Sequence, residues 1–99
     1  MKYPVIYSKL AWKDLEEIYD FISQDSSIIA QAFLDQIDEK IGRLGNFPES
    51  GYIPKQTYLK IKGYRILVIG EYLVFYRFKP KQVKIDRIIH GKRRYEFLL

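Results

Sequence analysis

"YRILVIGEYLVFYRFKPKQVKIDRII", residues 64–89, decides the fold. Three runs rich in Val, Ile, Tyr and Phe (64–69, 72–78 and 83–89) are separated by "GE" at 70–71 and "KPKQ" at 79–82. β-branched and aromatic residues suit a pleated surface, and joins this short only permit antiparallel neighbours. The stretch therefore predicts an antiparallel meander.

The first half of the chain has a different period. "YPVIYS" (3–8) reads as a short strand, and Ser8 as a helix N-cap. Ala11, Leu15, Ile18 and Ile22 then recur at i, i+4, i+7 and i+11, flanked by Trp12 and Tyr19. That spacing predicts an amphipathic helix over about 9–23. "SQDSS" (23–27) is a turn carrying capping residues. Ala30, Phe33, Leu34, Ile37, Ile41 and Leu44 form a second stripe, with Gly45 placed to end it as a C′ glycine. A short link makes the two helices an antiparallel hairpin able to cover one face of the sheet. Their acids, Asp14, Glu16, Glu17, Asp20, Asp35, Asp38 and Glu39, are expected to face water. "GNFPESGYIP" (45–54) has loop composition. The fold class is thus α+β: an N-terminal two-helix hairpin packed on a twisted antiparallel β-sheet, as one domain over 1–99.

Composition narrows the chemistry. With 47% hydrophobic and 16% aromatic residues the chain folds around a core. No apolar run approaches ~18 residues, so no membrane span or membrane partner is expected. The N-terminus lacks the apolar centre and cleavage site of a signal peptide, and a cytoplasmic location fits best. Zero cysteines exclude disulfides and thiol catalysis, and with a single histidine only carboxylates, which read as ordinary helix surface, remain for a transition-metal site. There is no phosphate-binding Gly-rich loop, GxGxxG or GxSxG. No metal and no cofactor are expected.

Charge is unevenly placed. Residues 1–50 hold 5 Lys+Arg against 9 Asp+Glu; residues 51–99 hold 12 against 3. A polyanion is the natural partner of the second half: nucleic acid, or an acidic protein segment. The candidates are Lys60, Lys62, Arg65, Arg77, Arg87, His90, Lys92, Arg93, Arg94 and Tyr95, several gathered in the closing "RIIHGKRRYEFLL". Metal-free RNA cleavage needs little else, because the substrate's 2′-hydroxyl is the nucleophile. Cations would stabilise the phosphoryl charge while His90 or Tyr95 moved protons. Each residue has a plainer reading too. Strict alternation puts His90 on the polar face of Lys84, Asp86 and Ile88. Arg65 can snorkel from a core-facing row, the cationic triplet 92–94 can be a solvated end, and Tyr72, Tyr76 and Phe78 read as packing. The functional reading requires the cations to converge on one exposed sheet face, with the helices shielding the other.

The chain resembles the RelE/ParE superfamily of bacterial type II toxins over nearly its whole length. "YSKLAWKDLEEIYDFI" is similar to the opening strand and helix, and "FPESG" to the Pro-x-x-Gly loop after the second helix. "GYRILVIGEYLVFYRF" is similar to the central hairpin, and "VKIDRIIHGKRRY" to the last strand and basic end. The resemblance implies a growth-arresting toxin neutralised by a cognate antitoxin. Its target is either the ribosome with mRNA (RelE-like) or DNA gyrase (ParE-like). For a ribonuclease, the resemblance implies Arg65, His90, Arg93 and Tyr95 as catalytic residues. Under any of the readings, Lys60, Lys62, Arg77, Arg87, Lys92 and Arg94 are expected to bind nucleic acid or the target. Nuclease members carry an arginine just after the position of Tyr72, where this chain has Leu73. That departure, with "GYR", "VFYR" and the longer helix hairpin, favours the ParE-like action narrowly. A non-toxic nucleic-acid-binding module of the same fold is the third reading.

Overall fold

A computed structural model describes residues 2–93, 95, 98 and 99. Strand β1 (Val5–Tyr7) leads into α1 (Lys9–Ser23) and α2 (Ser27–Gly42), which a 3-10 turn, Arg43–Gly45, extends. A short helix α3 (Thr57–Ile61) precedes β2 (Tyr64–Ile69), β3 (Tyr72–Lys79) and β4 (Gln82–His90).

The caps explain the helix starts. Ser8 Oγ accepts the Ala11 N–H at 3.0 Å and donates to the Asp86 carbonyl at 2.8 Å, tying α1 to β4. Ser26 Oγ accepts the Ile29 N–H. Each cap satisfies a first-turn donor that has no intrahelical acceptor. Gly45 does not act as a left-handed C′ residue. It closes the 3-10 turn, and a Cβ there would lie 2.7 Å from the Tyr3 carbonyl oxygen.

The meander is present, and β1 adds a second kind of pairing. Strand order is β1-β4-β3-β2, with β1 parallel to β4 and the other neighbours antiparallel. The sheet is therefore mixed. It slips register between Phe75 and Tyr76: Phe75 faces Arg87, Tyr76 faces Ile85, and Asp86 has no cross-strand partner. This bulge switches the faces of β4. Val83 and Ile85 point toward the helices before it, and Ile88 and His90 after it. Strict alternation is thus overturned at one residue. His90 shares a face with Ile88 as expected, but not with Lys84.

Both faces of the sheet are covered. On one, Ala11, Leu15, Ile18, Ile37, Ile41 and Leu44 pack against Ile69, Val74, Tyr76, Val83, Ile85 and Ile88. On the other, Leu59 of α3 joins Tyr64, Ile66, Phe75 and Ile89, with Tyr95, Leu98 and Leu99 packed against them. The face expected to lie open is therefore roofed by α3 together with Tyr95, Leu98 and Leu99.

Candidate functional site

Strand β1 flanks only the first part of β4, leaving residues 86–90 with one free edge. Helix α1 seals it through Asp14. Its carboxylate accepts the Ile88 N–H at 2.8 Å and a bidentate pair from Arg87, Nε at 2.8 Å and Nη2 at 2.9 Å. The Arg87 pKa is raised, first by this hydrogen bond and further by the negative charge of Asp14, with burial opposing. Asp14 is thus buried, not solvated like most of its helix neighbours. The signal was readable: position 14 falls inside the apolar stripe 11, 15, 18.

Beyond this seal, β4 ends in a cleft of about 300 Å³ whose walls include Glu17, Phe21, Tyr72, His90 and Arg93. Tyr72 is the cross-strand neighbour of His90, and their rings meet edge-on at 5.2 Å. The backbone then turns sharply. Gly91 N–H donates to the Glu71 carbonyl at 2.8 Å, and Arg93 N–H to the His90 carbonyl at 3.0 Å. Lys92 N–H donates to His90 Nδ1 at 3.1 Å. That bond occupies the Nδ1 lone pair, so the neutral ring carries its proton on Nε2, which faces Glu71 Oε2 at 3.4 Å. In that tautomer His90 presents Nε2–H as a hydrogen-bond donor. Burial, and then Glu71, raise the Tyr72 phenol, which stays protonated.

The other candidates lie elsewhere. Arg65 lies on the helix-side face of β2, but far from His90. Four residues of β2 and two strand spacings separate them, about 13 Å along the strand and 10 Å across it. Its guanidinium donates to the Gly51 carbonyl at 2.9 Å and the Glu49 carbonyl at 3.3 Å. Tyr76 completes this clamp: its buried hydroxyl accepts the Gly51 N–H and donates to the Pro48 carbonyl, both at 2.8 Å. Only glycine fits, since a Cβ on Gly51 would lie 2.6 Å from that hydroxyl. The Pro-x-x-Gly loop is thus held by Arg65 and Tyr76.

Tyr95 sits on the opposite face of the sheet from His90. Its ring packs 4.9 Å from Phe75 and its hydroxyl accepts from Gln56 Nε2 at 3.1 Å. Leu73, across from Ile89, packs against the same cluster. Arg77 pairs with Asp86 at 2.7 Å and lies 5.2 Å over the Tyr64 ring. Arg87 is engaged by Asp14. Lys60, Lys62, Lys92 and Arg93 are exposed, with Lys62 reaching the Leu99 carbonyl. Arg94 lies outside the described residues. The expected convergence on one open face is therefore corrected. Arg65 and His90 point to the helix side, Arg77 and Arg87 are in internal ion pairs, and Tyr95 is behind the sheet. Among the described residues no cluster could hold a metal ion, and no helix is long and apolar enough to cross a membrane.

The same fold, a helix hairpin on a four-stranded mixed sheet, occurs in solved structures of toxin–antitoxin systems. Residues 5–95 match the family of ParE toxins of the type II toxin–antitoxin system parDE, and the chain belongs to that family. No curated protein sequence matches it. Among solved structures it is similar to a chain of the chromosomal ParDE toxin–antitoxin system from P. aeruginosa (TM-score 0.76, 21% identity, covering 92% of this chain and 98% of that one). It is also similar to chains of two toxin–antitoxin complexes. One is RelBE2 from Mycobacterium tuberculosis (TM-score 0.63, 22% identity, 91% and 99% covered). The other is DinJ-YafQ from E. coli (TM-score 0.59, 16% identity, 100% and 99% covered).

Proposed function

We propose that this toxin arrests growth by acting on DNA gyrase without cutting RNA, and that a cognate antitoxin neutralises it. The observation that carries this reading is the separation of the would-be nuclease residues. Proton transfer to a 2′-hydroxyl and its leaving group requires acid, base and phosphate ligands within hydrogen-bond reach of one substrate. Here Arg65 and Tyr76 hold a loop, Tyr95 and His90 lie on opposite faces, and the His90 acceptor nitrogen is occupied. The family match points the same way. Contact with the target then falls to the exposed cations Lys60, Lys62, Lys92 and Arg93, and to Arg94, rather than to the ion-paired Arg77 and Arg87. An antitoxin partner is supported by the similar structures, each from a toxin–antitoxin system.

Two assays test this. Purified gyrase should lose supercoiling activity when the protein is added, and recover it with the product of a neighbouring antitoxin gene. Translating ribosomes, probed by primer extension, should show no new mRNA ends. Codon-linked cuts that vanish in His90→Ala and Arg93→Ala would instead establish the ribonuclease reading, which the shared cleft of those two residues favours. Harmless expression, with neither assay responding, would point to the nucleic-acid-binding module.

A further inference from the structure

Two grooves flank Phe47, in the loop that follows the 3-10 turn. The first, of about 520 Å³, runs past Tyr3, Pro48 and Phe78 at the end of the sheet opposite His90. The second, of about 310 Å³, runs past Lys40, Arg43, Leu67 and Val68 at the β2 edge. Phe47 is their shared wall, and it is 66% exposed. Phe78 is exposed too, and the Tyr3 ring meets it edge-on at 4.9 Å. Among the described residues, none of these three rings joins either core cluster. Cations stand at both ends of the track. Lys40 and Arg43 line the second groove, Lys2 precedes Tyr3 in the chain, and Lys79 and Lys81 follow Phe78 at the β3–β4 turn. The four lysines have no ion-pair partner among the described residues, while Arg43 shares Glu39. Lys81 holds φ 70° behind Pro80, at a turn position that glycine takes without strain. The turn thus keeps a charge at its tip against a backbone preference. Glu49 is the one carboxylate lining either groove among the described residues.

We propose that this track binds single-stranded DNA. Successive bases would stack on Phe78 and Phe47, since every base has a π-face and the rings are uncovered. The phosphates would meet Lys2, Lys79 and Lys81 at one end and Lys40 and Arg43 at the other, releasing the counterions of the strand. Aromatic walls and a cationic rim together select this ligand. A duplex would meet the lysines but leave the rings idle, because its bases already stack on one another. The track is separate from the His90 cleft and from Lys60 and Lys62 of the α3 segment. The choice of DNA over RNA alone rests on the gyrase reading, whose target works on DNA.

The probe is a fluorescently labelled oligothymidine strand of about 12 nucleotides, read by anisotropy on the full chain at low salt. Its controls are an abasic phosphodiester strand, a DNA duplex and an oligouridine RNA strand, all of the same length. The thymidine strand should bind saturably and more tightly than each control. Phe47→Ala and Phe78→Ala, both at exposed positions, should each weaken it about fivefold or more. Lys40→Ala and Lys81→Gly should each flatten the slope of log affinity against log salt by about 0.7. Lys81→Gly is the cleaner of the two, because it removes the charge while relieving the turn. Lys13→Ala, an exposed lysine of α1 that lines neither groove, should leave the slope unchanged. Circular dichroism would establish that the variants fold. No gyrase is present, so strand binding and gyrase inhibition can fail independently. No binding, equal binding of the abasic strand or the duplex, or unchanged affinity in the two phenylalanine variants would overturn the proposal. Tighter binding of the RNA strand would overturn the choice of DNA.

Discussion

Replacing Asp14 with alanine is the sharpest test of how α1 and β4 are joined. The carboxylate is 6% exposed, its partner Arg87 is 12% exposed, and three donors converge on it. After the substitution Arg87 would keep, among the described residues, its 3.2 Å bond to the Leu98 carbonyl, and the Ile88 N–H would lose its Asp14 acceptor at the sheet edge. Breaking a buried pair by removing one partner costs about 3–5 kcal/mol, because the remaining charge is left uncompensated. Replacing both partners is far milder. The expectation is a loss of about 3–4 kcal/mol for Asp14→Ala, with at least half regained in Asp14→Ala/Arg87→Met. Urea denaturation is the assay. With a slope of about 1 kcal/mol/M for a small domain, the midpoint should fall by roughly 3 M. The molecule supplies its own control in Arg43–Glu39, an i,i+4 pair whose side chains are 65% and 67% exposed. Glu39→Ala should cost less than about 0.5 kcal/mol. Should Asp14→Ala cost no more than Glu39→Ala, at an unchanged slope, the pair is screened by water and α1 does not seal the sheet.

Tyr76→Phe should cost about 1–3 kcal/mol in the same assay, since the buried Gly51 N–H loses its acceptor, and protease cutting within 46–51 should accelerate. Lys81 adopts φ 70° in the turn between β3 and β4, a conformation costing an L-residue about 1–2 kcal/mol, so Lys81→Gly should raise stability by up to about 1 kcal/mol. Burial, with Asp86 adding and Arg77 opposing, pushes Tyr64 up to about 12 from 10.0. Between pH 10 and 12 the unfolded phenol is therefore the more ionised, and folding stability should fall across that window, in step with late phenolate absorbance. If stability stays flat above pH 10, the burial of Tyr64 is refuted.

Local pattern carried most of the elements. The helix over 9–23 begins and ends where the 3.6-residue stripe and Ser8 say, and the three β-rich runs pair in chain order. Helix α3 was missed because "TYLKI" is one turn and a half, too short to express a period. The site was less legible. His90 and Arg93, three residues apart in the chain, share a cleft, but placing Arg65 and Tyr95 required knowing which face of the sheet each one takes.

Hydrophobic period, capping residues and hairpin-length joins act within a few residues of one another, so the order and type of the main elements follow from local sequence. Three decisions needed the folded chain: the parallel pairing of β1 with β4, the bulge at Asp86, and the partner of Asp14, which is Arg87, 73 residues away. Each depends on groups distant in sequence meeting in space. A one-residue slip in a strand of period two turns every later side chain over. That single offset, invisible in any local window, set His90 beside the helices while Tyr95 packed behind the sheet.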